Sequence, residues 1–269
     1  PTLSTAGVAQ QAGIPVVKKF FGEALARQLV AQGKQADLLI GNNVFAHVPD
    51  INDFARGLKA ALKPNGTITL EFPHLMRLLD GKQFDTIYHE HFSYLSLFTT
   101  ERIFRHAGLK VWDVDELTTH GGSIRVYGCH AQDIREISDD AQHLLSQESE
   151  RSMQTLLPYA GFQEHVKKIS DDFKEFLYEQ REAGKKVAAY GAAAKGNTLL
   201  NFAKVTTDLL PVVYDASPAK QGRLLPGSRI PVKHPDILWA EQPDFLIILP
   251  WNLAREISGQ YDFLRKSGT

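Results

Sequence analysis

A single cysteine, Cys129, excludes an internal disulfide framework and leaves no cysteine set that could hold a metal. That usage fits a cytosolic protein, the compartment expected here. No run of about 18 uninterrupted apolar residues occurs, so no membrane-spanning helix is expected. The formal net charge is only −1 and no long basic run is present. Nothing therefore attracts nucleic acid or anionic lipid in general, and neither is expected as a partner. Short-period repeats and low-complexity tracts are absent. So are an initiator Met and a signal-peptide pattern, because the chain opens Pro1-Thr2-Leu3. What is present is 269 residues, 43% hydrophobic and 23% charged. That is the composition of a soluble globular protein with one large α/β domain or two ordinary ones, as a monomer or small homo-oligomer.

The first half alternates short apolar runs with helical patterns, as parallel βαβ units do. A helix is expected over 5–13, a strand from Ile14 to about Phe20, a helix over 23–33, and a strand Ala36–Ile40 apolar enough to be covered on both faces. Phe54, Leu58 and Leu62 at i, i+4, i+8 mark a helix after Pro49-Asp50, and Thr67–Phe72 reads as the next strand. Helix 99–107 ends at Gly108. Strands Leu109–Val114 and Ser123–Tyr127 are joined by a loop too short for a parallel crossover, so they should pair antiparallel.

From 132 to 181 the chain is polar and helical, with Phe162, Val166, Ile169, Phe173 and Phe176 forming an apolar stripe that should pack on a neighbouring domain. A second βαβ pattern begins at Lys186, with further strands expected near 211–214, 229–232 and 244–249. The expected division is a domain over 1–131 and a smaller α/β domain with a helical connector over 132–269.

Reactive side chains are densest in Phe84-Asp85-Thr86-Ile87-Tyr88-His89-Glu90-His91-Phe92-Ser93-Tyr94. The segment follows a strand and should overhang the carboxyl ends of a sheet, where open α/β folds bind ligands. His91 suits a general base because an imidazole titrates near neutrality. In a helix Tyr88 and His91 would share a face; in an extended chain Tyr88 and Glu90 would. A metal site built on His89 and His91 with His47 and His74, or a purely structural aromatic loop, are the competing readings.

Tyr88-His89-Glu90-His91-Phe92-Ser93-Tyr94 resembles the hallmark segment of the deoxysugar C-methyltransferases. Asn42-Asn43-Val44-Phe45-Ala46-His47-Val48-Pro49-Asp50, Leu62-Lys63-Pro64-Asn65-Gly66 through Glu71, and Thr119-His120-Gly121-Gly122-Ser123-Ile124-Arg125-Val126 resemble further segments of that family, in order. The resemblance implies a partial class I methyltransferase sheet, Rossmann-like and ending in an antiparallel hairpin, followed by a second Rossmann-like α/β domain. It implies S-adenosylmethionine as cofactor and a nucleotide-linked keto-sugar as substrate, methylated at carbon through an enolate. His91 would be the base, Tyr88 and Glu90 would orient sugar and base, and His47 would sit at the reacting carbonyl. His89 and Tyr94 would join the substrate contacts. Asn42, Asn43 and Val44 would border the cofactor cleft, with Phe21 and Gly22 beside the adenine. The family's first strands and its zinc-binding N-terminal module have no counterpart in the sequence, so the chain is expected to be a fragment, with zinc confined to that module and no metal site of its own.

Gly191-Ala192-Ala193-Ala194-Lys195-Gly196-Asn197 lies between a strand and a helix, where backbone N–H groups and the Lys195 charge suit a phosphate. By the resemblance this second domain would help bind the nucleotide-sugar, for which Gly191, Lys195 and Asn197 are the candidates from their place at the helix start, and Arg125, leaving the Gly121-Gly122 link, is a candidate to reach a phosphate. A dinucleotide-dependent oxidoreductase is the alternative, with Asp215 as ribose partner, although Ala193 stands where G-x-G-x-x-G needs its second glycine.

Overall fold

A computed structural model describes residues 3–267. In chain order the helices are α1 (Leu3–Gln11), α2 (Glu23–Ala31), α3 (Ile51–Ala61), α4 (Leu75–Asp80), α5 (Leu97–Ala107), α6 (Asp139–Glu150), α7 (Phe162–Glu182), α8 (Ala194–Phe202), α9 (Leu238–Glu241), α10 (Ala254–Gln260) and α11 (Asp262–Ser267). The strands are β1 (Ala36–Asn42), β2 (Leu62–Pro73), β3 (Leu109–Leu117), β4 (Ser123–His130), β5 (Val187–Tyr190), β6 (Val213–Tyr214), β7 (Val232–Lys233) and β8 (Phe245–Ile248). They fall into two compact units: one made of the chain up to Arg77 with 92–118 and 122–155, the other of 78–91, 119–121 and the chain from Leu156 onward.

The first unit carries a mixed sheet in the order β1-β2-β4-β3, with β1 and β2 parallel and both pairs made by β4 antiparallel. The α3 crossover makes the parallel pair possible. Asp50 caps α3 by accepting the Asp53 N–H at 2.8 Å. Gly22 and Gly57 let α2 and α3 approach closely: a Cβ on Gly57 would lie 2.7 Å from the Gly22 carbonyl carbon. Ile68, Leu70 and Phe72 alternate along β2 and are fully buried. On that face Phe45 is ringed by Phe54, Phe72 and Phe104 at centroid distances of 6.0, 5.9 and 6.3 Å.

Two expectations for this unit need correction. Residues 14–20 form no strand. No other strand pairs with their backbone, and Phe20 is 83% exposed. β1 is not covered on both faces either. It is the edge strand, bonded only to β2, and Leu38 and Ile40 are 52% and 68% exposed.

The second unit is an all-parallel sheet in the order β7-β6-β5-β8. Its alternate residues feed two cores: Val187 and Ala189 on one face with Leu177 and Leu200, Ala188 and Tyr190 on the other with Leu238 and Ile257. Both faces are thus apolar, as a parallel sheet requires. The α7 stripe packs on this unit's own core, with Leu177 buried in it and Phe173 and Phe176 against it.

The units do not divide at 131/132. Residues 132–155 fold with the first because Arg135 donates to Thr67 Oγ1 at 2.7 Å and to the Gly66 carbonyl at 2.8 Å, and stacks over Trp112. Glu148 completes the attachment. Fully buried, its carboxylate accepts the Leu97 and Phe98 N–H groups at 2.6 and 2.9 Å, and its Oε1 lies 2.7 Å from His74 Nε2. A carboxylate at the start of α5 satisfies orphan N–H groups and complements the helix dipole.

Glu148→Ala leaves those donors buried and unpaired, which should cost about 3–5 kcal/mol in urea unfolding. Glu150→Ala, on the exposed end of the same helix, should stay within about 0.5 kcal/mol of wild type.

Candidate functional site

In the first unit the carboxyl end of β1 opens into Asn42-Asn43-Val44. Asn43 adopts a left-handed φ of 52°, a conformation asparagine tolerates, and its N–H donates to the Glu71 carbonyl at 2.8 Å. The side-chain amides of Asn42 and Asn43 are exposed and make no hydrogen bond among the described residues. The buried Phe45 ring anchors the turn that carries His47, which is half-buried. Phe92 and Ser93 donate their N–H groups to the Ala46 carbonyl at 2.9 and 3.2 Å, which ties the segment leading to the half-buried Tyr94 to this turn.

Other first-unit candidates are engaged in packing. Phe21 meets Phe54 edge-on at 5.3 Å, and a Cβ on Gly22 would overlap Asp53 at 1.9 Å, so both serve the α2–α3 contact. Arg125, expected at a phosphate, donates to Glu71 at 2.9 Å with Asp115 at 3.8 Å, a cross-strand ion pair on the sheet.

The second unit holds the reactive turn. The His91 N–H bonds the Tyr88 carbonyl at 3.0 Å, so the segment is neither helical nor extended but a tight turn. The turn stacks the Tyr88 and His91 rings at 4.4 Å with 29° between their planes. His91 Nδ1 lies 2.8 Å from the Thr86 carbonyl. A carbonyl can only accept, so in the neutral ring Nδ1 carries the hydrogen and Nε2 the lone pair. Thr86 is itself fixed, its hydroxyl bonded to the Gln83 carbonyl at 2.7 Å. Tyr88 and His91 are half-buried, whereas His89 and Glu90 are exposed. Among the described residues no three His, Cys, Asp or Glu side chains converge as a metal site would require.

The residues preceding this turn are bound to the carboxyl ends of the second sheet. Phe84 packs on Phe202 at 5.3 Å, Gln83 donates to the Gly121 carbonyl at 2.7 Å, and Trp251 donates its indole N–H to Asp85 at 2.7 Å. Trp251 and Asn252 follow β8, and Gly191 follows its neighbour β5. The chain leaves β5 for β6 on one side, while β8 lies on the other. Such a switch point is where open α/β sheets hold ligands. Gly191, at φ 99°, is required because a Cβ would come within 2.4 Å of Pro250.

Lys195, in the first turn of α8, lies 4.5 Å above the Trp251 ring and 3.2 Å from Asn252 Oδ1. Burial pushes its amine below the usual lysine range, opposed by the Asp85 charge. Burial likewise lifts the Asp85 carboxyl above the usual range, with the Trp251 bond and Lys195 pulling it back. The N-cap of α8, Ala193, offers no side-chain acceptor, and Asn197 Oδ1 is buried without a partner among the described residues. Small residues, open helix N–H groups and one desolvated cation together suit an anionic group.

Asp215 is used differently from the dinucleotide expectation. It accepts the Ala192 and Ser217 N–H groups, each at 2.8 Å, and Lys220 Nζ at 3.0 Å, so its carboxylate holds the Gly191 loop in place. Sequence reasoning missed Asp85, Trp251 and Asn252 as a cluster. Only the aromatic directly after the β8 pattern hinted at them, since residues there line the carboxyl end of a sheet.

Two protein families match the chain: one described as C-methyltransferase C-terminal domain over residues 118–269, the other as methyltransferase domain over 8–114. C-methyltransferase NovU from Streptomyces niveus is 34% identical over all 269 residues, which span 64% of its length. Among solved structures, a S-adenosylmethionine-dependent methyltransferase from Thermotoga maritima aligns over 48% of this chain and 70% of its own at 15% identity and a TM-score of 0.35. Magnesium protoporphyrin IX methyltransferase from Synechocystis, with bound S-adenosylhomocysteine, aligns over 48% and 60% at 15% identity and a TM-score of 0.34.

Asp85→Asn keeps the acceptor for Trp251 but removes the buried charge. The raised carboxyl costs the folded state most when ionised. Wild type should therefore gain stability relative to the variant as pH falls from above the folded pKa of Asp85 to below its unfolded value of about 4. Paired urea titrations at pH 7 and pH 4 measure that difference, and a wild type that loses stability relative to the variant on acidification contradicts the assignment.

Proposed function

Because the chain belongs to the C-methyltransferase family, we propose that it takes part in S-adenosylmethionine-dependent methylation of the carbon next to a ketone in a nucleotide-linked keto-sugar. The observation that carries this reading is the His91 imidazole, whose Nδ1 hydrogen is committed to the Thr86 carbonyl, so that the basic nitrogen of the neutral ring is Nε2. Carbon-bound hydrogen needs such a base, whereas methylation of oxygen or nitrogen makes lighter demands.

In the proposed reaction His91 Nε2 takes the proton from the carbon beside the ketone. The C–H bonding pair becomes the new C=C bond and the carbonyl π pair moves to oxygen. The stacked Tyr88 ring fixes the imidazole plane, and Glu90 helps orient the sugar. A hydrogen-bond donor is needed at the oxygen on which negative charge develops, and the Tyr88 hydroxyl, in the same turn as His91, is of the right kind. S-adenosylmethionine, when bound, supplies an electrophilic methyl group to the enolate carbon. The exposed, unpaired amides of Asn42 and Asn43, with Val44 beside them, fit the polar edge and apolar body of that cofactor. Orientation rather than further acid–base chemistry governs the transfer.

The nucleotide part of the substrate is assigned to the second unit. Gly191 keeps the loop after β5 in its tight turn against Pro250, the start of α8 gives N–H groups, Lys195 gives charge and the unpaired Asn197 Oδ1 accepts a donor. His89 and Tyr94 complete the sugar contacts. Arg125 is left out of the assignment because Glu71 holds it.

Proton abstraction can be tested apart from methyl transfer. Nucleotide-linked 4-keto-sugars incubated with the protein in D₂O should exchange hydrogen at the adjacent carbon. His91→Ala should slow that exchange by about 10²–10⁴-fold. Exchange at the wild-type rate in the variant removes His91 from the role of base.

A further inference from the structure

We propose a second binding site, at the amino ends of β5 and β6, for a small organic anion with an apolar body. A cavity of about 630 Å³ opens there, within the roughly 300–1,000 Å³ typical of small-molecule sites. It lies at the opposite end of the sheet from Gly191 and Lys195. The four residues of β5 separate the two by about 10 Å, at roughly 3.3 Å per residue. Occupancy of one therefore leaves the other open.

The chemistry of the walls selects the ligand. Val187, Ala188, Leu209 and Val212 form an apolar floor, and Pro211 and Pro243 extend it with no backbone N–H to satisfy. The rim carries three cations, Arg181, Lys185 and Lys186, against two carboxylates, Asp208 and Glu241. Both carboxylates are engaged. Glu241 accepts Lys233 at 2.7 Å and the Tyr214 hydroxyl, and Asp208 accepts the Thr206 hydroxyl with Arg181 at 3.8 Å. Lys185 is held by Asp244 at 3.0 Å, and Lys186 makes no contact ion pair among the described residues, although Glu241 and Asp244 act on its charge at longer range.

The carboxyl end of α7 lies beside this rim and would by itself repel an anion. Its last carbonyls are already capped, however. Ala183, Gly184 and Lys185 donate their N–H groups to Glu179, Arg181 and Gln180 at 2.9, 3.0 and 2.9 Å. Counting the partners of the rim, four cations (Arg181, Lys185, Lys186 and Lys233) face three carboxylates (Asp208, Glu241 and Asp244), so the mouth keeps one net positive charge, and Lys186 is its cation without a contact ion pair. A headgroup such as a carboxylate, sulfonate or phosphate would meet it there, with an aromatic or aliphatic body on the floor.

The test uses 2-naphthoate and its neutral analogue 2-naphthamide as probes, followed through backbone amide shifts of the whole chain. Naphthoate should move the amides of Lys186, Val187, Ala188 and Tyr214, and bind about tenfold more tightly than naphthamide, the increment of one charge-assisted contact. Lys186→Gln, at an exposed position, should weaken naphthoate by about tenfold and leave naphthamide unchanged. Ala240→Trp, which fills the exposed mouth, should abolish binding of both. The proposal is overturned if naphthoate does not bind at about millimolar concentration, if the two probes bind equally, or if either substitution leaves naphthoate affinity at the wild-type value. Shifts confined to Gly191–Asn197 also overturn it.

Discussion

One buried carboxylate fixes the geometry from which the rest of the first unit follows. Glu148 reaches from α6 to the first two N–H groups of α5 and to the imidazole of His74. His74 lies where the chain is about to leave this unit for residues 78–91, and Leu97 lies just after it has returned. The His74–Leu95 bridge and the Leu75 N–H bond to the Leu95 carbonyl, at 2.9 Å, close the base of that excursion. A charge with no water around it is tolerated only when its lone pairs are filled. The bonds that fill them also hold together the departure and the return of the segment bearing Tyr88 and His91.

The second unit solves a related problem with burial of the opposite kind. Asp85 and Lys195 are both partly desolvated, and their charges are brought back toward normal by one another and by Trp251. Asp215 locks the Gly191 loop from behind. Near the switch point Asn197 Oδ1 is left as an unpaired acceptor and the start of α8 has no side-chain cap, while Asp85, Lys195 and Asp215 are engaged. Preorganisation of this sort lets a flexible, charged ligand bind without reorganising the protein.

Much of this was legible in the residues. The run Thr67–Phe72 after the helix reads as a strand and lies within β2, and the βαβ pattern expected from Lys186 is the parallel sheet that starts at β5. The crowded histidines and phenols singled out the segment that the structure folds into the Tyr88–His91 turn. Residues 14–20 misled because an apolar run has no strand identity until a neighbour supplies its hydrogen bonds. Leu38 and Ile40 misled because sequence does not say which strand becomes the edge.

The sequence by itself determined most element types outside residues 14–20, the antiparallel hairpin of β3 and β4, the C-methyltransferase family and the dense cluster around His91. Those depend on periodicity, loop length and short-range spacing. Tertiary structure alone decided that Tyr88 and His91 stack in a turn, that Thr86 sets the imidazole tautomer, that Arg125 belongs to Glu71, and that 132–155 and 78–91 change sides. Each of these rests on a hydrogen bond or a ring contact whose partner is set by the folded backbone, and no residue pattern names that partner in advance.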